Sequence, residues 1–96
     1  MEIDTEALVV VDNPEAHAFE IVYEGQVALV AYRKREGSIT YTHTEVPEAL
    51  EGHGIAGKLA KYALDYARAN GLKVVPQCPY VAAYIERHPE FRDLVA

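Results

Sequence analysis

The run Glu51-Gly52-His53-Gly54-Ile55-Ala56-Gly57-Lys58 and the lone Cys78 hold the residue types best placed for chemistry. Gly52, Gly54 and Gly57 leave backbone N–H groups uncovered just where a helical pattern begins. The first N–H groups of a helix have no partner inside it, and the helix dipole favours negative charge there. Glycine also lets another molecule come close to the backbone. Entered from a β-rich segment, such a turn is a cradle for phosphate, with donors available from Gly52 to Gly57. The plainer alternative is a tight turn with close helix packing. Glu51 repels a diphosphate unless its carboxylate turns to solvent, and that is the orientation expected. Lys58 and Lys61 lie about one turn apart on the outer side of the helix and serve either a ribose phosphate or only water.

Cys78 precedes Pro79. Proline suits the first position of a helix, which makes Cys78 the N-cap. A helix start favours the thiolate, so nucleophile and polar contact are both open roles. The alternative is a buried thiol packed as a small apolar residue. His43 lies within Ile39–Val46, a β-rich run. Histidine titrates near neutrality and can take a proton from an ammonium group. Simple alternation puts Tyr41, His43 and Glu45 on one face and Thr42, Thr44 and Val46 on the other. Glu45 would then tune His43; a half-buried histidine bonded to a carbonyl is the competing reading. His53 reads as an exposed turn residue whose N–H matters more than its ring. His88, before Pro89, reads as a helix-end residue bonding a carbonyl. The cysteine and histidines have no zinc spacing, so no metal is expected.

The elements that must position these residues follow from pattern. Leu8–Val11 is a short apolar run ended by Asp12-Asn13-Pro14, an edge strand or an arm within residues 1–16. His17–Tyr23, Gln26–Arg35 and Ile39–Val46 are rich in β-branched and aromatic residues with short glycine-containing connections, which predicts an antiparallel meander. From about His53 to Ala69, Ala56, Leu59, Ala60, Ala63, Leu64 and Ala67 share one helical face. Leu72–Pro76 reads as a strand, parallel to Ile39–Val46 because a helix separates them. Pro79 to about Arg87 is a final helix. The predicted class is therefore α/β (α+β).

The 96 residues suit one small domain with one core. The formal net charge of −6 argues against nucleic-acid binding. No apolar run is long enough to span a membrane. The opening Met1-Glu2-Ile3-Asp4-Thr5-Glu6 lacks the basic-then-apolar layout of a secretory leader, and one cysteine fits a reducing compartment, so a cytoplasmic location is expected. A monomer or weak homodimer is expected.

The order of elements from about residue 17 to 91 resembles the GCN5-related N-acetyltransferase (GNAT) superfamily. That family's pyrophosphate loop reads Gln/Arg-x-x-Gly-x-Gly/Ala, and Glu51-Gly52-His53-Gly54-Ile55-Ala56 fits it except at Glu51. His43-Thr44-Glu45-Val46-Pro47, Val75-Pro76-Gln77-Cys78 and His88-Pro89-Glu90 resemble blocks of its very short, single-domain members. The resemblance implies acetyl-coenzyme A bound between splayed strands Ile39–Val46 and Leu72–Pro76, with the pyrophosphate on the glycine turn and Lys58 within reach of the cofactor. It implies acetyl transfer to a primary amine, Val46 N–H facing the oxyanion, and Cys78 near the cofactor thiol. The family's general-acid tyrosine falls at Ile85; Tyr84 is one position early, and Tyr80 and Tyr84 are the tyrosines placed to face a thioester. Compared with larger members, the chain is expected to lack the first one or two helices, which often build the acceptor pocket. A non-catalytic acyl-coenzyme A or protein-binding module is the alternative.

Overall fold

The computed structural model describes residues 3–96, so the first two residues of the expected arm lie outside the described residues. Five strands form one sheet in chain order: β1 (Val11–Asn13), β2 (Ala18–Tyr23), β3 (Gln26–Arg35), β4 (Ser38–Glu45) and β5 (Lys73–Pro76). The first four pair antiparallel, and β5 joins β4 in parallel after the crossover helix α1 (Ile55–Ala69). Helix α2 (Pro79–Arg87) and a 3-10 segment, Pro89–Leu94, follow. This is the mixed α/β architecture the pattern predicts.

The period-two pattern of the strands decides which face is covered. Phe19 faces Val30 and Ile21 faces Ala28 across β2 and β3, and all are buried. Their neighbours Val22 and Val27 also pair, but on the other face, where they are 55% and 38% exposed. The core face receives Ile55, Leu59, Ala60, Ala63, Leu64 and Ala67 of α1 and Val81 and Ile85 of α2. The alanines let α1 approach closely enough for the Tyr41 hydroxyl to donate to the Ala63 carbonyl at 2.5 Å. Burial raises the Tyr41 phenol far above its usual range. Phe19 sits among Tyr32, Tyr62 and Tyr66 with ring centroids 4.8–5.1 Å away. Tyr32 donates to Asp12 at 2.6 Å, which ties β1 to the sheet.

The edge strand begins later than the apolar run suggests. Leu8 and Val10 pack on the core outside the strand, while Asp12 and Asn13, expected as a turn, pair with Phe19 and Ala18. The larger departure is in β4. Ala31 pairs with His43 but Tyr32 pairs with Tyr41, so Thr42 is an extra residue in the ladder. A bulge of this kind breaks strict alternation. Tyr41 is therefore in the core, whereas His43 and Glu45 are exposed on the open face and do not share its side. Thr44, opposite Val30, is on the core side.

Candidate active site

β5 runs beside β4 only as far as the pair Tyr41–Pro76. The Cys78 N–H then donates to the Tyr41 carbonyl at 2.9 Å, and the chain turns into α2. Beyond that point β4 has no strand neighbour on this side. The splay opens a cleft of about 630 Å³. Thr44, Glu45, Val46 and Pro47 supply one wall; Glu51, Ala56 and Tyr80 come from the glycine turn, α1 and α2, and Val27 closes the rim.

α1 starts at Gly54, the N-cap, with φ +76°, and Gly52 has φ +82°. Left-handed backbone at both positions requires residues without a Cβ clash, which is why glycine stands there. The helix therefore begins at Ile55 rather than His53. No side chain caps it. Glu51 and Gly52 form a type II turn that directs the His53 N–H toward the Leu50 carbonyl, while among the described residues the N–H groups of Gly52 and Gly54 donate to no backbone carbonyl. Donors left free at a helix start are a site for a negatively charged oxygen. Ile55 is buried and anchors the turn. A Cβ on Gly57 would stand 3.6 Å from the Tyr80 hydroxyl, an ordinary contact, so packing against α2 does not itself require glycine there. Glu51 is exposed, as expected, yet lies in the cleft wall.

Cys78 is the N-cap of α2, ahead of Pro79, and only 2% exposed. Its sulfur lies 3.3 Å from the Thr44 hydroxyl. The thiol is thus buried behind a residue of the cleft wall. Tyr80 lines the cleft, whereas Tyr84 stacks on the His88 ring at 3.9 Å between centroids and is not in the lining. Burial raises the Tyr84 phenol above its ordinary value, opposed by the nearby Lys61 ammonium. His88 Nδ1 lies 2.8 Å from the Tyr84 carbonyl, so that nitrogen carries the proton. Ile85, at the family's tyrosine position, is core. Lys58 does not reach toward the cleft. Its ammonium donates to the carbonyls of Thr5 at 2.7 Å and Glu6 at 3.2 Å. Lys61 pairs with Asp65 at 2.8 Å.

The structure thus brings Val46 and Ala56 to one cleft, with the glycine turn between the lining residues Glu51 and Ala56 and with Cys78 behind Thr44. It leaves His43 outside the lining and sends Tyr84 and Lys58 elsewhere. Thr44 escaped the sequence reading because the bulge at Thr42 has no signature in residue type. Among the described residues no cluster of three or more His, Cys, Asp or Glu could hold a metal ion, and no helix is long and apolar enough to cross a membrane.

The family model for GCN5-related N-acetyl-transferase matches residues 18–94, and the chain belongs to that family. Its backbone superposes on the NMR solution structure of a GCN5-like protein from Staphylococcus aureus with a TM-score of 0.72 at 26% identity, covering 93% of this chain and 88% of that one. Human Protein NATD1 is 47% identical over 47 residues, which are 49% of this chain and 42% of that protein. The zebrafish (Danio rerio) Protein NATD1 is 38% identical over 60 residues, 60% of this chain and 54% of that protein. The matched segment spans about half the length of these curated relatives.

Proposed function

We propose that this protein is an acetyl-coenzyme A-dependent N-acetyltransferase acting on a primary amine of a small molecule or protein. One observation carries the reading: the edge of β4 that β5 leaves unpaired and the uncapped start of α1 border a single cleft. The first offers backbone groups to an extended amide-bearing arm, and the second offers N–H donors to a diphosphate. Glu51 fits this least well, and its exposure lets the carboxylate swing to water.

Bound there, acetyl-coenzyme A supplies an acyl thioester that a neutral amine attacks, forming the N–C bond and releasing the thiolate. Val46 follows the last paired residue of β4 and lines the cleft, so its N–H is a donor for the developing oxyanion. Glu45 lines the same cleft from the open face of the sheet and His43 stands on that face two residues earlier; a proton leaving the ammonium passes to His43 or to water held by Glu45. Tyr80, rather than Tyr84, is the hydroxyl in the lining that can return a proton to the thiolate. Cys78, masked by Thr44, contributes through that hydroxyl.

The second reading, acyl-coenzyme A binding without turnover, draws on the burial of Ile85 where relatives place a catalytic tyrosine. Calorimetric titration with coenzyme A, followed by thiol release from acetyl-coenzyme A in the presence of mixed amines, separates the two. Binding with thiol release above the buffer rate is expected. Binding without release establishes the module, and no binding removes both.

A further inference from the structure

The N-terminal 3-10 segment, Thr5–Ala7, is fastened to the glycine turn rather than hanging free. The Thr5 hydroxyl donates to the His53 carbonyl. Lys58, on the first turn of α1, holds the same segment through the carbonyls of Thr5 and Glu6. The segment closes its own turn, with Leu8 N–H on the Thr5 carbonyl at 3.2 Å, and Leu8 packs against the core.

In a trans peptide the carbonyl and the following N–H point in opposite directions. Engaging the His53 carbonyl from the N-terminal side therefore turns the Gly54 N–H away from that side. The orientation of this peptide is set by ψ of His53 and φ of Gly54, and Gly54, at φ +76°, has no side chain to limit its rotation. The cleft includes Glu51 and Ala56 but no residue of the N-terminal segment.

We propose that Thr5 and Lys58 are positioning residues for the pyrophosphate of coenzyme A. The Thr5 hydroxyl sets the His53–Gly54 peptide with its N–H available to the ligand, and Lys58 holds Thr5 in place. Lys58 thus acts through the turn and not by its charge on the ligand. This rests on the coenzyme A reading of the cleft.

The test compares coenzyme A with pantetheine, which lacks the pyrophosphate, by calorimetric titration of the full chain. Thr5→Val keeps the side-chain shape and removes the hydroxyl; Thr5→Ser keeps the hydroxyl. Loss of one hydrogen bond's worth of preorganisation predicts about fivefold weaker coenzyme A binding in Thr5→Val. Pantetheine affinity stays unchanged, Thr5→Ser binds like the wild type, and Lys58→Met falls in the same direction as Thr5→Val. The backbone order parameter at Gly54, measured by NMR relaxation in the free protein, falls in Thr5→Val. Wild-type coenzyme A affinity in Thr5→Val overturns the inference, as does an equal loss for pantetheine. If the wild type does not bind coenzyme A, the proposed function fails by itself. The Gly54 order parameter then decides the positioning claim, and an unchanged value in Thr5→Val overturns it.

Discussion

α1 begins at a glycine in left-handed backbone, with no side-chain cap and with N–H groups that no backbone carbonyl takes. α2 begins a short distance away at Cys78, where proline occupies the first helical position and the N-cap N–H is spent on the Tyr41 carbonyl. Proline removes one of the donors a helix start would otherwise leave free. Two helix starts beside one cleft thus share the sign of their dipoles but differ in their donors: proline removes one at α2 and the sheet takes the N-cap N–H, which leaves those of Tyr80 and Val81. The first is open to an anion. The second is continuous with the sheet, and it holds a buried thiol and an exposed tyrosine near the point where the strands part. The contrast underlies the proposed division of labour, with binding at α1 and chemistry at β4 and α2.

The sharpest way to break this division is Gly54→Val. No atom lies within 4 Å of a Cβ at this position, so the cost arises from φ +76° and from the ligand's approach, not from internal crowding. A β-branched residue in that conformation costs about 1–2 kcal/mol or more. Coenzyme A affinity should fall at least about tenfold in a protein that circular dichroism shows to be folded. Unchanged affinity by calorimetry would remove α1 as the binding element.

Next come the groups assigned to proton transfer. Tyr80→Phe should lower turnover about tenfold or more with coenzyme A affinity retained, and Tyr84→Phe should stay near the wild-type rate. His43→Ala should also lose about tenfold at neutral pH if its ring is the base, whereas a water on Glu45 as base predicts the larger loss in Glu45→Gln. Steady-state assays of these four variants rank the groups. Equal rates in all of them would leave the site without an assigned acid or base.

Cys78→Ser sharpens the comparison further. Serine keeps a hydroxyl facing Thr44, so direct transfer predicts a loss of only a few-fold. Transfer through a thioester on Cys78 predicts almost complete loss, and an acetyl adduct on Cys78 in the wild type by mass spectrometry.

The smallest effect expected lies far from the cleft. Arg68 grips Asp93 with both terminal nitrogens at 3.0 Å, and this hydrogen bonding holds the Asp93 carboxyl below the usual range. A carboxyl lowered on folding adds stability above its unfolded value, about 3.9, and loses it as pH falls through the lower folded value. Below about pH 4 the melting temperature should therefore drop slightly faster in the wild type than in Asp93→Asn. Both groups are exposed, so parallel curves would show that the pair contributes nothing measurable.

Much of this arrangement was legible in residue order. The three-strand meander, the crossover helix and the parallel strand follow from β-branched runs, turn residues and helical spacing, and the glycine turn announces itself by composition. Cys78 as N-cap follows from Pro79. The side on which His43 lies does not follow, because the extra residue at Thr42 is fixed by pairing with β3 and by Tyr41 reaching Ala63. Nor does the partner of Lys58, since contact with Thr5 spans about half the chain and carries no local pattern. Tyr80 and Tyr84 were indistinguishable until the helix packed. The stacking of Tyr84 on His88 then separated them.

The strand order β1-β2-β3-β4-β5 also bears on how the molecule assembles. Each antiparallel neighbour is joined by a short connection, so that part of the sheet can zip outward from the β2–β3 hairpin at little entropic cost. β5 alone must wait for a helix to form and cross before it can dock. The cleft exists only once β5 has docked, so the binding surface is expected to mature last. Pulsed hydrogen exchange during refolding should protect the β2–β3 amides before those of Val74 and Val75. Simultaneous protection would mean that hairpin and crossover form in one step.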